Sequence, residues 1–255
     1  MQDIKTFLWL LKVGALINIY FLINTFISPL AYTNIHILIP AQILFATCAY
    51  RCLFPVRYTN NIVFHESPFS SVFVTRFLAT FSEVASIYLF AYVIRTLNTE
   101  QITWINNVSW LMVIQVIISQ CFVWGAILTG KLILYVYEEI GWGIIFIINT
   151  IASLYLYITL ENFSGRELLI YLNLIFGAFY LPWQIIHVRS LQSHAHKKGL
   201  QRKSYTLLDG LQNSIQIKNP STTLNDWGGV VGIIWATSYW ATILPVWVYL
   251  IAIYS

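Results

Sequence analysis

Seven stretches of this chain are long and apolar enough to cross a bilayer, and they leave little sequence for anything else. A membrane helix needs about 20 mostly apolar residues to cross a hydrocarbon core of roughly 30 Å. The stretches are approximately 7–30, 36–54, 71–97, 104–128, 132–160, 168–188 and 228–254. Connections between the first six are short, so no soluble domain fits between them. Nothing alternates in the ten-residue strands of a membrane barrel. The expected fold class is all-α: one polytopic domain over 1–255 with seven transmembrane helices. Composition agrees, since 58% of the 255 residues are hydrophobic and only 9% charged. A soluble domain carries about a quarter charged residues. An ordinary cytosolic enzyme, a disordered tail and a nucleic-acid-binding module are thereby excluded. Lys5 and Lys12 precede the first run as in a signal peptide, but the run is too long and no small-x-small cleavage site follows. That helix is expected to be retained.

Basic residues set the expected orientation. With the 189–227 loop in the cytoplasm, alternation places Lys5, Lys12, Arg51, Arg57, Arg76 and Lys131 on the same side. The loop adds Arg189, Lys197, Lys198, Arg202, Lys203 and Lys218, leaving only Arg95 and Arg166 outside. Twelve of the fourteen basic residues then lie inside, which puts the N-terminus in the cytoplasm and the C-terminus outside. The net charge of +4 follows from this topology and needs no polyanionic partner. Trp9, Trp104, Trp110, Trp142, Trp227 and Tyr249 fall toward span ends, where amphipathic rings prefer the interface. Trp183, Trp235 and Trp240 fall deeper.

The 189–227 loop is the one sizeable polar segment. Within it Leu207, Leu208, Leu211 and Ile215 share a helical face behind a run of basic residues, the pattern of a short helix lying on the cytoplasmic leaflet. A plain connecting loop is the alternative. Pro40-Ala-Gln42-Ile in span two is echoed by Pro182-Trp-Gln184-Ile in span six, the offset of a weak 3+1+3 parallel repeat. Gly228, Gly232 and Ala236 recur every four residues in span seven and offer a small-xxx-small ridge to a packing partner.

Ionisable groups at membrane depth are costly and tend to be functional. Glu83 lies near the midpoint of span three. Arg76 is two turns away on the same face, about 10 Å along the axis at 1.5 Å per residue. Arg76 is expected to snorkel to the headgroups and leave Glu83 without a neighbouring base. As a proton or cation carrier, Glu83 should tolerate Glu83→Gln without loss of fold. Glu138 shares a face of span five with Tyr135, Trp142 and Asn149, and Glu139 points roughly 100° away. Span six carries Asn173, Tyr180, Gln184 and His187 as one polar stripe. Span four adds Gln115 and Ser119, and spans one and two add Asn18 and Gln42.

Several chemistries fail on these residues. Five histidines, of which only His187 lies well within a span, cannot supply a di-iron cluster, a zinc site at membrane depth or a bis-haem pair. Span seven has no lysine for a retinal Schiff base. The EExxxR pattern of intramembrane proteases fails at Gly143. Cys48 and Cys52 read as free thiols. No cofactor or metal is implied. Asn107-Val-Ser and Asn162-Phe-Ser are glycosylation sequons on the expected outer side, very close to the membrane.

These readings converge on a carrier or channel-like protein of a cellular membrane. Glu83 would be its proton- or cation-handling carboxyl, with Gln115, Glu138, Asn149, Gln184 and His187 lining the path of a small-molecule, ion or lipid ligand. Two alternatives stand beside it. One is a membrane-embedded lipid-modifying enzyme using Glu83 or the Glu138/Glu139 pair as acid–base. The other is a non-catalytic subunit or receptor whose polar groups only join helices.

Overall fold

The computed structural model describes residues 3–27, 33–160, 165–199 and 205–254. Six helices are long and apolar enough to cross a membrane. They are α1 (Lys5–Ile27), α2 (Ile35–Leu53), α3 (Val72–Leu97), α4 (Thr103–Thr129), α5 (Ile133–Thr159) and α6 (Glu167–Gly199). The side chains sort inversely to those of a water-soluble bundle. Ile114, Ile118, Phe179, Ile185 and Ile186 face outward, while Asn18, Ser119, Asn149, Asn173 and Gln184 are buried. Hydrocarbon outside and polar groups inside is the arrangement a bilayer enforces. The chain is a multi-pass membrane-helical protein.

Helix ends follow local chemistry. Asn34 caps α2 by accepting from the His36 amide. Gly130, at a φ of +73°, ends α4 in the left-handed turn that glycine favours. Asn98 both accepts from and donates to the Ile102 backbone, which closes the tight turn from α3 to α4.

Two expectations are corrected here. Helix α6 runs on to Gly199, past the expected end at 188, because the polar run from Arg189 is still helical. The seventh stretch is not one regular helix. It is α8 (Gly229–Trp235), a seven-residue π segment (Ala236–Thr242) and α9 (Ile243–Tyr254) in succession. Thr237 donates to the Ile233 carbonyl at 2.8 Å and Thr242 to the Thr237 carbonyl at 3.1 Å, supplying bonds to backbone that the widened turn loosens.

The chain divides into two compact units, Met1–Ala85 with Thr206–Tyr249, and Ser86–Tyr205 with Leu250–Ser255. In the first, α1 packs on α2 and the π segment packs against both. Leu8, Leu11, Ala15, Cys52, Ala236 and Trp240 form its core. Gly14 is where α1 and the π segment come closest: a Cβ there would stand 2.8 Å from that of Ala241. Asn18, fully buried, donates to the carbonyls of Gly14 and Trp240.

The polar connections of this unit fold onto each other. Strand β1 (Val56–Arg57) pairs antiparallel with β2 (Ile62–Val63), which pairs in parallel with β3 (Asn219–Pro220). Asn60 and Asn61, both at positive φ, turn the chain between β1 and β2. The Asn61 side chain donates to the Asn213 carbonyl and the Ile4 amide to that of Thr222. Asp226 accepts from the Ser221 and Thr223 hydroxyls, which hold its carboxyl below the usual range. Helix α7 (Leu207–Gln216), capped by Thr206, exposes Leu207, Leu208 and Ile215 while burying Gly210 and Ser214. The amphipathic reading of 207–215 therefore matches its packing.

In the second unit α4 packs on α5 and α5 on α6. Thr150 of α5 meets Gly177 of α6 so closely that a Cβ there would stand 2.1 Å from its hydroxyl. Phe90, Phe146, Phe176 and Tyr180 form one aromatic cluster. Trp142 is buried, as is Trp227 in the first unit, so neither joins the exposed interfacial group of Trp9, Trp104 and Trp110. Ser109 of the first sequon is fully buried and bonded to Arg95 and the Asn106 carbonyl. Asn162 of the second, and the Trp235 side chain, lie outside the described residues.

Candidate functional site

Two polar clusters lie in helices, one in each unit. In the first unit, the expected separation of Arg76 from Glu83 is wrong. The Arg76 side chain extends along α3 and grips the carboxylate with both arms, Nη1 to Oε1 at 3.1 Å and Nη2 to Oε2 at 2.8 Å. Spacing of seven residues puts the two on one face, and two long side chains close the axial gap. Arg76 is 1% exposed, so it does not snorkel. Arg51, from the last turn of α2, brings Nη1 within 3.9 Å of the same carboxylate. Its guanidinium lies 4.0 Å from the ring centre of Trp240, and Tyr58 approaches both arginines at 5.8 and 5.7 Å. Two guanidiniums around one carboxylate repel a cation, and this geometry does not favour Glu83 as the cation-handling group.

The second unit holds the other five expected site residues. Glu139, rather than Glu138, faces the polar stripe of α6. Gln184 donates through Nε2 to the Glu139 carboxylate at 2.8 Å and to its backbone carbonyl at 2.7 Å. His187 brings Nε2 to 3.3 Å from the other carboxylate oxygen. Glu138 is buried on the face that also buries Trp142 and Asn149. Gln115 lies against Gly141 of α5, its Nε2 2.7 Å from where a Cβ would stand, with the Ser119 hydroxyl nearer still at 2.1 Å. These two residues of α4 pack into the space a glycine leaves.

Elsewhere in this unit three buried polar side chains have no hydrogen-bond partner among the described residues. Asn149 and Asn173 are fully buried, and neither the oxygen nor the nitrogen of either amide finds a hydrogen-bond partner among the described residues. The Ser153 hydroxyl, one turn beyond Asn149, is in the same position. Buried amides are rarely left so, because an unmet hydrogen bond costs about 1–3 kcal/mol. The pairs Glu139–Gln184 and Thr150–Gly177 show that α5 and α6 run antiparallel. Along α5, Asn149 and Ser153 lie about 15–20 Å from Glu139 by helical rise, Asn149 on the Glu138 face, and Asn173 lies a similar distance from Gln184 along α6. The residues are legible in the sequence as stripes; their unmet hydrogen bonds are not. Arg51 is legible only as an orienting charge and Trp240 only as a deep tryptophan, and nothing in the sequence joins either of them, or Tyr58, to Glu83.

Among the described residues no three His, Cys, Asp or Glu side chains gather as a metal site would require. Cys48 and Cys52 are buried free thiols. No protein-family model, curated protein or solved structure matches this chain.

Proposed function

We propose that the protein is a membrane carrier or channel-like protein whose path follows the seam between α5 and α6. Glu139, paired with His187, is its proton- or cation-handling group. The observation that supports this is the unmet hydrogen bonding of Asn149, Asn173 and Ser153 inside an apolar helical unit. Helix-joining amides would bond across to a neighbour. Amides that line a hydrated or solute-bearing path obtain partners from what passes through. Glu139 lies on the same pair of helices, its carboxylate 3.3 Å from the His187 imidazole. Gln115 and Glu138 flank the seam from α4 and α5.

Proteoliposomes containing a pH-sensitive dye test this reading under an imposed membrane potential. Wild-type vesicles should change internal pH faster than empty ones. Glu139→Gln should return the rate to the empty-vesicle level while the protein still elutes as a folded species. Asn149→Leu, which removes one lining amide, should slow it. The reading fails if wild-type and empty vesicles behave alike. The 3.3 Å carboxylate–imidazole contact also suits acid–base catalysis on a lipid, so turnover of lipid extract in detergent, lost in His187→Ala, would favour the enzyme instead.

In this proposal the α8–π–α9 run is a seventh crossing, the N-terminus is cytoplasmic and the C-terminus extracytoplasmic. Basic-residue partition supports the orientation, and the outward apolar face of α7 supports its lying on the cytoplasmic leaflet. A 3+1+3 repeat gains support from the paired glutamines. Gln42 bonds Thr25 and Gln184 bonds Glu139, each two residues after a proline within a helix. A reporter fused after Ser255 should read as extracytoplasmic and one inserted within 197–204 as cytoplasmic. The same side for both would remove the seventh crossing.

A further inference from the structure

The lines along which α5 and α6 meet can be followed residue by residue. On α5 the contacts fall at Glu139, Gly143, Phe146 and Thr150, and on α6 at Gln184, Tyr180 and Gly177. Steps of three and four residues separate them, the spacing of one helical face. One more step of three brings the α5 line to Ser153, and one of four brings the α6 line to Asn173. In an antiparallel pair these two stand opposite each other. They lie about two turns from the helix ends at Thr159 and Glu167. Asn149 lies one turn before Ser153 on the neighbouring face, and all three are fully buried.

Polar side chains that face each other between membrane helices ordinarily bond across the gap. Here the Ser153 hydroxyl and both polar atoms of Asn173 have no hydrogen-bond partner among the described residues, and neither have those of Asn149. Two amide nitrogens that donate, two amide oxygens that accept and a hydroxyl that does either are thus gathered on one stretch of the seam. None carries a charge. The ionisable groups of the two helices lie elsewhere. Glu138 and Glu139 are at least ten residues back along α5, Glu167 is exposed, and His187 is fourteen residues on from Asn173. Arg95 of α3 is engaged by Ser109 and Trp110 of α4. The neighbouring Ala152, Leu156, Leu169 and Ile170 are buried and apolar. An ion meeting only neutral groups among such walls is costly.

We propose that Asn149, Ser153 and Asn173 bind an uncharged hydrogen-bonding molecule, either water or a small neutral solute. Donors and acceptors in near-equal number suit a molecule that both gives and takes hydrogen bonds. The proposal rests on the seam between α5 and α6 being a path, and it names the class of molecule that travels there. It does not rest on the role of Glu139. The Phe146 ring, 4.9 Å from that of Phe176 and 4.5 Å from that of Tyr180, separates this site from the Glu139 carboxylate.

Stopped-flow light scattering on proteoliposomes of the full chain tests it. A sucrose shock reads water movement, and exchange into urea or glycerol reads entry of each solute. Wild-type vesicles should exceed empty ones for at least one of the three, and which one does so identifies the molecule. Asn173→Leu should lower that excess about tenfold, and Ser153→Ala, which removes one hydroxyl, about threefold. Cys121→Ser, at an exposed position on α4, should leave it unchanged. The proposal is overturned if none of the three probes moves faster than in empty vesicles, or if Asn173→Leu and Ser153→Ala both match the wild type. Should Asn173→Leu fail to fold, an unchanged rate in Ser153→Ala overturns it alone. The pH-dye assay separates the two readings. Proton movement without neutral flux overturns this site and leaves the carrier reading standing, whereas neutral flux that falls in Ser153→Ala without proton movement upholds this site and removes the role of Glu139.

Discussion

Glu83→Gln should destabilise the protein by about 3–5 kcal/mol, the cost of removing one partner from a buried ion pair. Arg76 is 1% exposed and its two arms both end on the Glu83 carboxylate. An amide of the same shape offers one acceptor where there were two, and no charge. The Arg76 guanidinium then loses the carboxylate on which both its arms end. The double variant Arg76→Gln/Glu83→Gln removes both members of the pair and should be more stable than Glu83→Gln alone. Thermal unfolding followed by size exclusion in detergent measures both. If Glu83→Gln melts with the wild type, the ion pair contributes nothing to the fold, and Glu83 again becomes a candidate proton carrier. The sequence-based expectation was the opposite, a fold indifferent to this change.

That reversal shows where a sequence stops being readable in this protein. Hydrophobic length marked six spans within a few residues, because crossing hydrocarbon is a one-dimensional requirement. It misjudged α6, whose extension through His196 and Lys197 to Gly199 is helical but polar, since helicity does not need hydropathy once the chain has left the membrane. It also read 228–254 as regular, because residues 236–242 have nothing in their composition that distinguishes a π turn from an α turn. Polar stripes were legible through the period of 3.6, and Asn149, Asn173 and Gln184 are all buried as that period requires. Choosing between Glu138 and Glu139 was beyond it. The two point about 100° apart, and only the position of α6 decides which one meets Gln184 and His187. Arg76 failed for a related reason. Whether a long side chain turns toward water or toward a carboxylate depends on what closes over it, here Tyr58 from the connection that leads into α3.

Gly232→Ala should cost roughly as much as Gly232→Leu, about 3 kcal/mol, while Ile233→Leu should cost under about 1.5 kcal/mol. The three-residue ridge of Gly228, Gly232 and Ala236 suggested a groove for another helix, and such grooves accept alanine as readily as glycine. The structure gives Gly232 a different neighbour. A Cβ there would stand 1.8 Å from the Trp227 carbonyl oxygen and 2.9 Å from its carbon, both in the chain's own backbone. Backbone cannot rotate aside as a flexible side chain would. The turn into α8 must open instead, and that turn is tightly specified. Gly228 and Gly229 hold φ values of +90° and +68°, and Trp227 is anchored by its indole N–H to the Ser221 carbonyl at 2.8 Å and by burial in the core of the first unit. Gly228 is itself closed in by the Arg57 guanidinium, 3.2 Å from where its Cβ would lie. Only Ala236 of the three is buried against the helices around it. Folded yield and melting temperature of Gly232→Ala therefore separate the two accounts. A loss with the first methyl places the constraint in the α8 turn, and a loss that begins only with leucine restores the packing groove.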